Sequence, residues 1–293
     1  MNRDDDRPSP ADYLYVWPQY VLPHHALSRL VLAATRLEAG WWKQRLIDTF
    51  RRHYGIGLED AQHTDARAYP SFNAFFTRAL KPEARPLSDT PGDIASPVDG
   101  RISQLGDIRD GRIFQAKGRD YSLPELLGGA EDIAAQFQNG EFATLYLSPR
   151  DYHRIHMPLA GRLTDTIYVP GRLFSVAPHT VRRVPRLFAR NERLIALFET
   201  EAGPMAMILV GALFVACIET VWAGVVTPPH GHRIRRESFA DRPVQLARGA
   251  EMGRFNMGST VILLFGGNRM AWAEGLGAGR ALRMGQTLGR VRA

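Results

Sequence analysis

Three short stretches of the chain combine residue types that can move protons and attack carbon. The first is Ser96-Pro97-Val98-Asp99-Gly100, an Asp-Gly between two strand-like runs. Turn chemistry alone accounts for it; an orienting acid is the functional alternative. The second, Ser148 to Pro158, reads SPRDYHRIHMP and sets His153 and His156 three residues apart among Arg, Asp and Tyr. Histidines at that spacing can share a metal, but no Cys, His or carboxylate set nearby completes a ligand sphere. A general base is the better functional reading, because imidazole titrates near neutral pH; a structural or exposed histidine is the plain one. The third, Glu251 to Thr260 (EMGRFNMGST), runs into the apolar Val261–Phe265. Gly258-Ser259-Thr260 there is either a turn with locally satisfied hydroxyls or a nucleophile. Acid, base and hydroxyl in that chain order have the composition of a triad, which is defined by geometry and not by order.

The elements that would hold these residues fall into two textures. From about Pro10 to Tyr54 the chain reads as amphipathic helix. Leu27, Leu30, Val31, Ala34 and Leu37 share one helical face, and Trp42, Leu46, Phe50 and Tyr54 follow at spacings of four. Arg29, Arg36, Lys43, Arg45, Arg51 and Arg52 stand against Glu38 and Asp48, with Tyr13, Tyr15, Trp17 and Tyr20 upstream. Basic polar faces with interleaved Trp and Tyr suit an interfacial helix; helices packed on a core are the alternative. A short helix is expected over Tyr69–Leu80, and the Pro/Asp/Thr-rich stretch Pro82–Gly92 marks a boundary. Beyond Ile94, short β-branched runs alternate with turns: Arg101–Leu105, Arg112–Ala116, Phe142–Ser148, Leu163–Val169, Leu194–Phe198, Met205–Ile218, Thr220–Val226 and Thr260–Phe265. That spacing predicts a mostly β core, with helices at Leu123–Leu127 and Glu131–Gln138.

Composition narrows the partners. The 293 residues carry a net charge of +7, which suits an anionic surface or ligand without choosing among nucleic acid, acidic lipid and small acids. Cys217 is the sole cysteine, so no internal disulfide forms. The polar start lacks the pattern of a secretory signal. The longest apolar run, Met205–Ile218, is too short to cross a membrane.

Taken together, the three stretches resemble the bacterial phosphatidylserine decarboxylases. The resemblance also includes Phe72-Asn73-Ala74-Phe75-Phe76, Gln115-Ala116-Lys117-Gly118, Tyr168-Val169-Pro170-Gly171, Leu187–Arg193, Val210-Gly211-Ala212 and Glu219–Gly224. It covers nearly the whole chain. It departs at Met257, where the family usually has leucine, a change of similar volume and polarity. What it implies is an α+β fold: a mostly antiparallel β core with amphipathic N-terminal membrane-surface helices. Residues 1–85 would be the membrane-association region and 86–293 the catalytic domain. The chain would cut itself between Gly258 and Ser259 into chains 1–258 and 259–293, and Ser259 would become a covalent pyruvoyl cofactor. Asp99 would be the acid, His156 the base, Ser259 the nucleophile and His153 a second active-site histidine. The reaction implied is decarboxylation of phosphatidylserine to phosphatidylethanolamine and CO2 through a Schiff base. The family pattern carries no metal and implies a homodimer of cleaved protomers, peripheral on the cytoplasmic side of the cell membrane. A conventional serine hydrolase would use the same three residues, but no Gly-x-Ser-x-Gly elbow surrounds Ser259. A non-catalytic lipid-binding protein is a third reading. Nucleic acid is the least favoured partner, for want of a reader motif.

Overall fold

The computed structural model describes residues 10–116, 118–214, 217–256 and 259–292. Its centre is a nine-stranded antiparallel sheet. Across the sheet run β12 (Arg235–Ser238), β7 (Gly161–Val169), β8 (Arg193–Thr200), β9 (Gly203–Val210), β15 (Thr260–Phe265), β5 (Glu141–Tyr146), β2 (Gly100–Asp107) and β17 (Ala281–Leu282). The ninth, β13 (Val244–Leu246), also pairs with β7. Every residue of β15 is buried. Successive side chains of a strand point to opposite faces, so both faces of the sheet are covered at its middle. That explains the unbroken apolar run Val261–Phe265 in place of alternation.

A four-stranded sheet, β11 (Gly224–Thr227), β10 (Ile218–Thr220), β14 (Glu251–Phe255) and β6 (Arg154–His156), lies beyond one end of those strands. A three-stranded sheet, β1 (Asp93–Ala95), β18 (Thr287–Val291) and β16 (Met270–Trp272), and the hairpin β3 (Arg112–Ala116)–β4 (Arg119–Ser122) complete the body.

The relation between the two larger sheets positions the site. β9, β15 and β5 are neighbours in the large sheet, and β10, β14 and β6 are neighbours in the same order in the small one. Three crossings therefore link the sheets, β5 to β6, β9 to β10 and β14 to β15; their described residues are 147–153, 211–214 with Cys217, and Asn256 with Ser259. The run Met205–Ile218 is accordingly not one strand: β9 stops at Val210, the chain crosses, and β10 begins at Ile218. Thr220–Val226 likewise divides into the end of β10, a turn and β11.

The N-terminal region is helical: α1 (Pro10–Val16), α2 (His24–Arg36), α3 (Gly40–Tyr54) and the short α4 (Phe72–Phe76). α4 is shorter than the expected Tyr69–Leu80. Ser71 caps it, accepting from the Ala74 amide. α3 and α4 build their own apolar cluster around Ile47, Phe72, Phe75 and Phe76. α2 behaves otherwise. The residues it buries are His24, Ser28, Leu32 and Thr35. This mostly polar stripe serves loop amides: His24 Nδ1 accepts from Leu173 N, and Ser28 Oγ accepts from Phe214 N. Of the apolar face singled out in the sequence, Leu30 (68%) and Leu37 (53%) are exposed, while Leu27, Val31 and Ala34 are half-buried. No helix among the described residues is long and apolar enough to cross a membrane.

Candidate active site

Ser259 sits at the start of β15, on the middle of the three crossings. It is fully buried, and its Oγ has no hydrogen-bond partner. A buried hydroxyl is ordinarily paired, so an orphan at a sheet junction marks a site. Both flanks are pinned. On the far side of β15, the Ser259 carbonyl accepts from Leu147 N. On the near side, Phe255 N donates to the His153 carbonyl, and Asn256 N to the Cys217 carbonyl. The Asn256 side chain accepts from Asn73 Nδ2 of α4 at 2.8 Å and donates to Cys217 Sγ at 2.9 Å. Met257 and Gly258, and with Gly258 the first half of the expected scissile bond, lie outside the described residues.

The neighbouring crossing, Leu147–His153, carries the first imidazole. The Asp151 carboxylate accepts from Ser148 N and Oγ, each at 2.7 Å, and fixes the loop. His153 is fully buried against the Phe76 ring, centroids 4.1 Å apart. Its Nδ1 lies 2.8 Å from the Asp151 carbonyl oxygen. A carbonyl only accepts, so the proton is on Nδ1 and the lone pair on Nε2, which is buried and unpartnered. Burial pushes the pKa of His153 down to about 3. His153 is therefore a neutral imidazole with an unpaired Nε2 lone pair, on the crossing next to the one that carries Ser259.

His156, at the end of β6, is held at both nitrogens. Nδ1 faces the Gly249 carbonyl at 2.8 Å, and Nε2 takes the Tyr152 hydroxyl at 3.0 Å. Burial lowers its pKa, while the charges of Glu251 and Asp99 favour its protonated form through space. Asp99 itself is gripped by Arg85: Nε to Oδ1 at 2.9 Å, Nη2 to Oδ2 at 2.6 Å. It also accepts from Met284 N at 2.8 Å. The three residues expected to form a triad are thus not linked by direct hydrogen bonds. Asp99 acts on His156 as a charge at a distance, and Ser259 Oγ is unbonded.

An apolar cavity of about 200 Å3 abuts this corner, lined by Phe50, Tyr54, Phe76, Leu147 and Ala212 among others. Leu147 is the residue bonded to Ser259, and Phe76 the one stacked on His153. The cavity shares Tyr54, Tyr146, Pro149 and Val176 with a larger one of about 620 Å3, whose lining includes His53, Arg101, Arg150 and Arg182. Adjoining cavities, one apolar and one lined in part by arginines, can take an amphiphile with an anionic head. The arginines between Arg182 and Arg193 are mostly structural. Arg182 pairs with Asp12 of α1, Arg186 with Glu125, and Arg183 covers the Tyr13 ring. Arg193 is buried, donating to the carbonyls of Glu125, Leu126, Ala189 and Asn191.

Sequence reasoning missed Arg85, Tyr152, Cys217 and the Asn73–Asn256 pair as parts of the site. Asn73 and Asn256 stood inside the motifs; what was invisible was that they meet.

Fold and site define an α+β protein with a buried, unpaired serine hydroxyl and a buried neutral imidazole on neighbouring connections. Comparison with known proteins makes the class particular. The family model for phosphatidylserine decarboxylase matches residues 72–290, and a second, described as PSD, matches residues 14–55. A phosphatidylserine decarboxylase proenzyme of Pseudomonas aeruginosa (strain LESB58) is 58% identical over 279 residues, covering 94% of this chain and 96% of that protein. The proenzyme of the same name from Ectopseudomonas mendocina (strain ymp) is 56% identical over 280 residues, covering 95% and 98%. The chain belongs to the phosphatidylserine decarboxylase family, and it is a decarboxylase of that family by this kinship.

Proposed function

We propose that this chain is a self-processing proenzyme whose Ser259 becomes a pyruvoyl group, and that it decarboxylates phosphatidylserine at a membrane surface. The observation that carries the reading is the buried, unpartnered Ser259 hydroxyl on the middle of three pinned crossings. A serine is a weak nucleophile until a base takes its proton. Here an imidazole receives that proton while Oγ attacks the Gly258 carbonyl, turning the peptide bond into an ester. Loss of the Cα proton of residue 259 then expels Gly258 as a carboxylate, and water releases ammonia from the dehydroalanine left behind. The new N-terminus would stay in place because β15 is paired on both sides, with β9 and β5.

In the assignment that follows the family motif, His156 is the base and Asp99 stabilises its protonated form. His156 must then exchange the Tyr152 hydroxyl for that of Ser259. His153 serves the substrate. Its free Nε2 favours a second assignment in which His153 itself takes the proton. His153→Ala and His156→Ala, each scored for chain cleavage on a gel, separate the two: the base is the residue whose loss leaves the chain whole.

The residues fit the group expected there, since the site is enclosed, apolar on one side and supplied with a neutral imidazole. The pyruvoyl carbonyl would supply an electron sink for the breaking C–C bond, which no ordinary side chain offers. This chain's residues do the rest. The apolar cavity would exclude water from the leaving carboxylate, the arginines lining the larger cavity would hold the phosphodiester, and His153 or His156, once protonated in the reaction, would return a proton to the substrate carbon.

The exposed Leu30 and Leu37, with Arg29 of α2 and Arg45 of α3 also exposed, support attachment to an anionic bilayer. Apolar burial and roughly 1 kcal/mol per cationic residue near the surface would contribute. A homodimer of cleaved protomers completes the reading and is checked by light scattering. CO2 release from carboxyl-labelled phosphatidylserine tests the whole. The wild type should release label and Ser259→Ala none; equal release by both would end the proposal.

A further inference from the structure

Away from Ser259, three residues remote in sequence meet where α2 docks on the body. His25 is on the first turn of α2, Glu192 immediately precedes β8, and His230 follows β11. One ligand-capable atom from each lies within 4.8 Å of the other two. The site is interior: 1% of the Glu192 side chain and 7% of the His230 side chain are exposed. The two imidazole rings are 4.4 Å apart between centroids.

The hydrogen bonds leave the group incomplete. His25 Nε2 faces the Gly171 carbonyl at 3.0 Å, so the proton is on Nε2 and the lone pair on Nδ1. That Nδ1 is buried and has no partner. Burial, helped by the charge of His230, lowers the pKa of His25, which keeps the ring neutral. His230 meets both Glu192 oxygens through Nδ1 at 2.9 Å, and its buried Nε2 has no partner. Tyr168 donates to Glu192 at 2.5 Å. Arg193, the adjacent cation, is spent on four carbonyls and does not serve this carboxylate.

We infer that His25, Glu192 and His230 bind one divalent transition-metal ion of the zinc type, clasping α2 to the catalytic body. Two imidazoles and a carboxylate are a ligand set for Zn2+ and its neighbours, with water in the fourth position. Ca2+ and Mg2+ prefer an all-oxygen shell, which this site does not offer. The Gly171 carbonyl on His25 and the Tyr168 hydroxyl on Glu192 are the outer contacts that orient metal ligands. The role is structural: the ion joins the helix that carries the exposed Leu30 to the β body, and takes no part in the chemistry at Ser259.

The test uses the tag-free full chain, stripped with a chelator and titrated with Zn2+ against a chromophoric competitor, with melting temperature followed in parallel. One tight equivalent per chain and a rise in melting temperature are expected. Co2+ in place of Zn2+ should give the visible bands of a four-coordinate site. His25→Ala and His230→Gln should each weaken binding by more than about 100-fold, judged against the 10- to 100-fold typical of losing an outer contact. His63→Ala, at an exposed histidine, should change nothing. No stoichiometric binding and no melting shift, or tight binding that survives both substitutions, would overturn the site and leave only the His230–Glu192 contact beside a second histidine. If the variants do not fold, the wild-type titration and the Co2+ spectrum decide alone.

Discussion

Arg85 holds two carboxylates in different surroundings, which lets one arginine report on both. Towards Asp99 it is bidentate, with side chains 10% and 12% exposed; towards Asp60 it makes one contact of 2.8 Å to a side chain 50% exposed. Two unit charges about 4 Å apart attract by roughly 4 kcal/mol at an effective dielectric near 20. Breaking one side of a buried pair costs about 3–5 kcal/mol, whereas exposed pairs couple by about 0.2–1 kcal/mol. A double-mutant cycle of Arg85→Ala with Asp99→Asn should therefore give a coupling of about 2–4 kcal/mol. Asparagine keeps an oxygen for the Met284 amide, so the cycle isolates the charge pair. The parallel cycle with Asp60→Asn should stay below about 1 kcal/mol. The assay is urea unfolding in a Ser259→Ala background, which keeps every variant a single chain. Equal couplings, or a larger one for Asp60, would refute the claim that Asp99 is locked by burial and geometry.

Other outcomes follow from the same contacts. His153, whose pKa falls from about 6.5 to about 3 on folding, binds its proton more readily unfolded. Stability should therefore be intact above about pH 6.5 and fall as pH drops towards 3, by about 1 kcal/mol per pH unit from this group. His153→Asn should flatten that slope in urea midpoints measured at pH 7 and pH 5. A Cβ on Gly253 would collide with the Glu219 carbonyl oxygen. Gly253→Ala should then force β14 off β10 and cost about 1–3 kcal/mol, seen as a lower melting temperature and slowed chain cleavage. Leu30→Glu, on the outward face of α2, should weaken binding to anionic vesicles by about 1–3 kcal/mol in a sedimentation assay, while activity on detergent-dispersed lipid stays unchanged.

What the sequence displayed depended on how local the cause was. The apolar run after Ser259 announced a buried strand, and the residue types of Asp99, His153, His156 and Ser259 suggested the roles proposed for them. The small sheet was not legible: β6 is three residues and β14 contains Gly253, so neither shows a period. Without those strands, Met205–Ile218 looked continuous, and the three crossings that define the site had no expression in the pattern. α2 carried a clear apolar face, yet a periodicity cannot say whether that face meets protein. Here His24 and Ser28 turn inward because loop amides need acceptors. Arg85 on Asp99 and Asn73 on Asn256 are long-range pairings, fixed by the fold and silent in any local window.

The central claim, that Ser259 is converted and the chain cut before it, is met most directly by intact mass under denaturing conditions, wild type beside Ser259→Ala. Two chains are predicted for the wild type, one ending at Gly258 and the other starting at residue 259 with a pyruvoyl group in place of the serine, and one uncut chain for the variant. A folded, membrane-exposed wild type that remains a single chain with its serine intact would contradict the account.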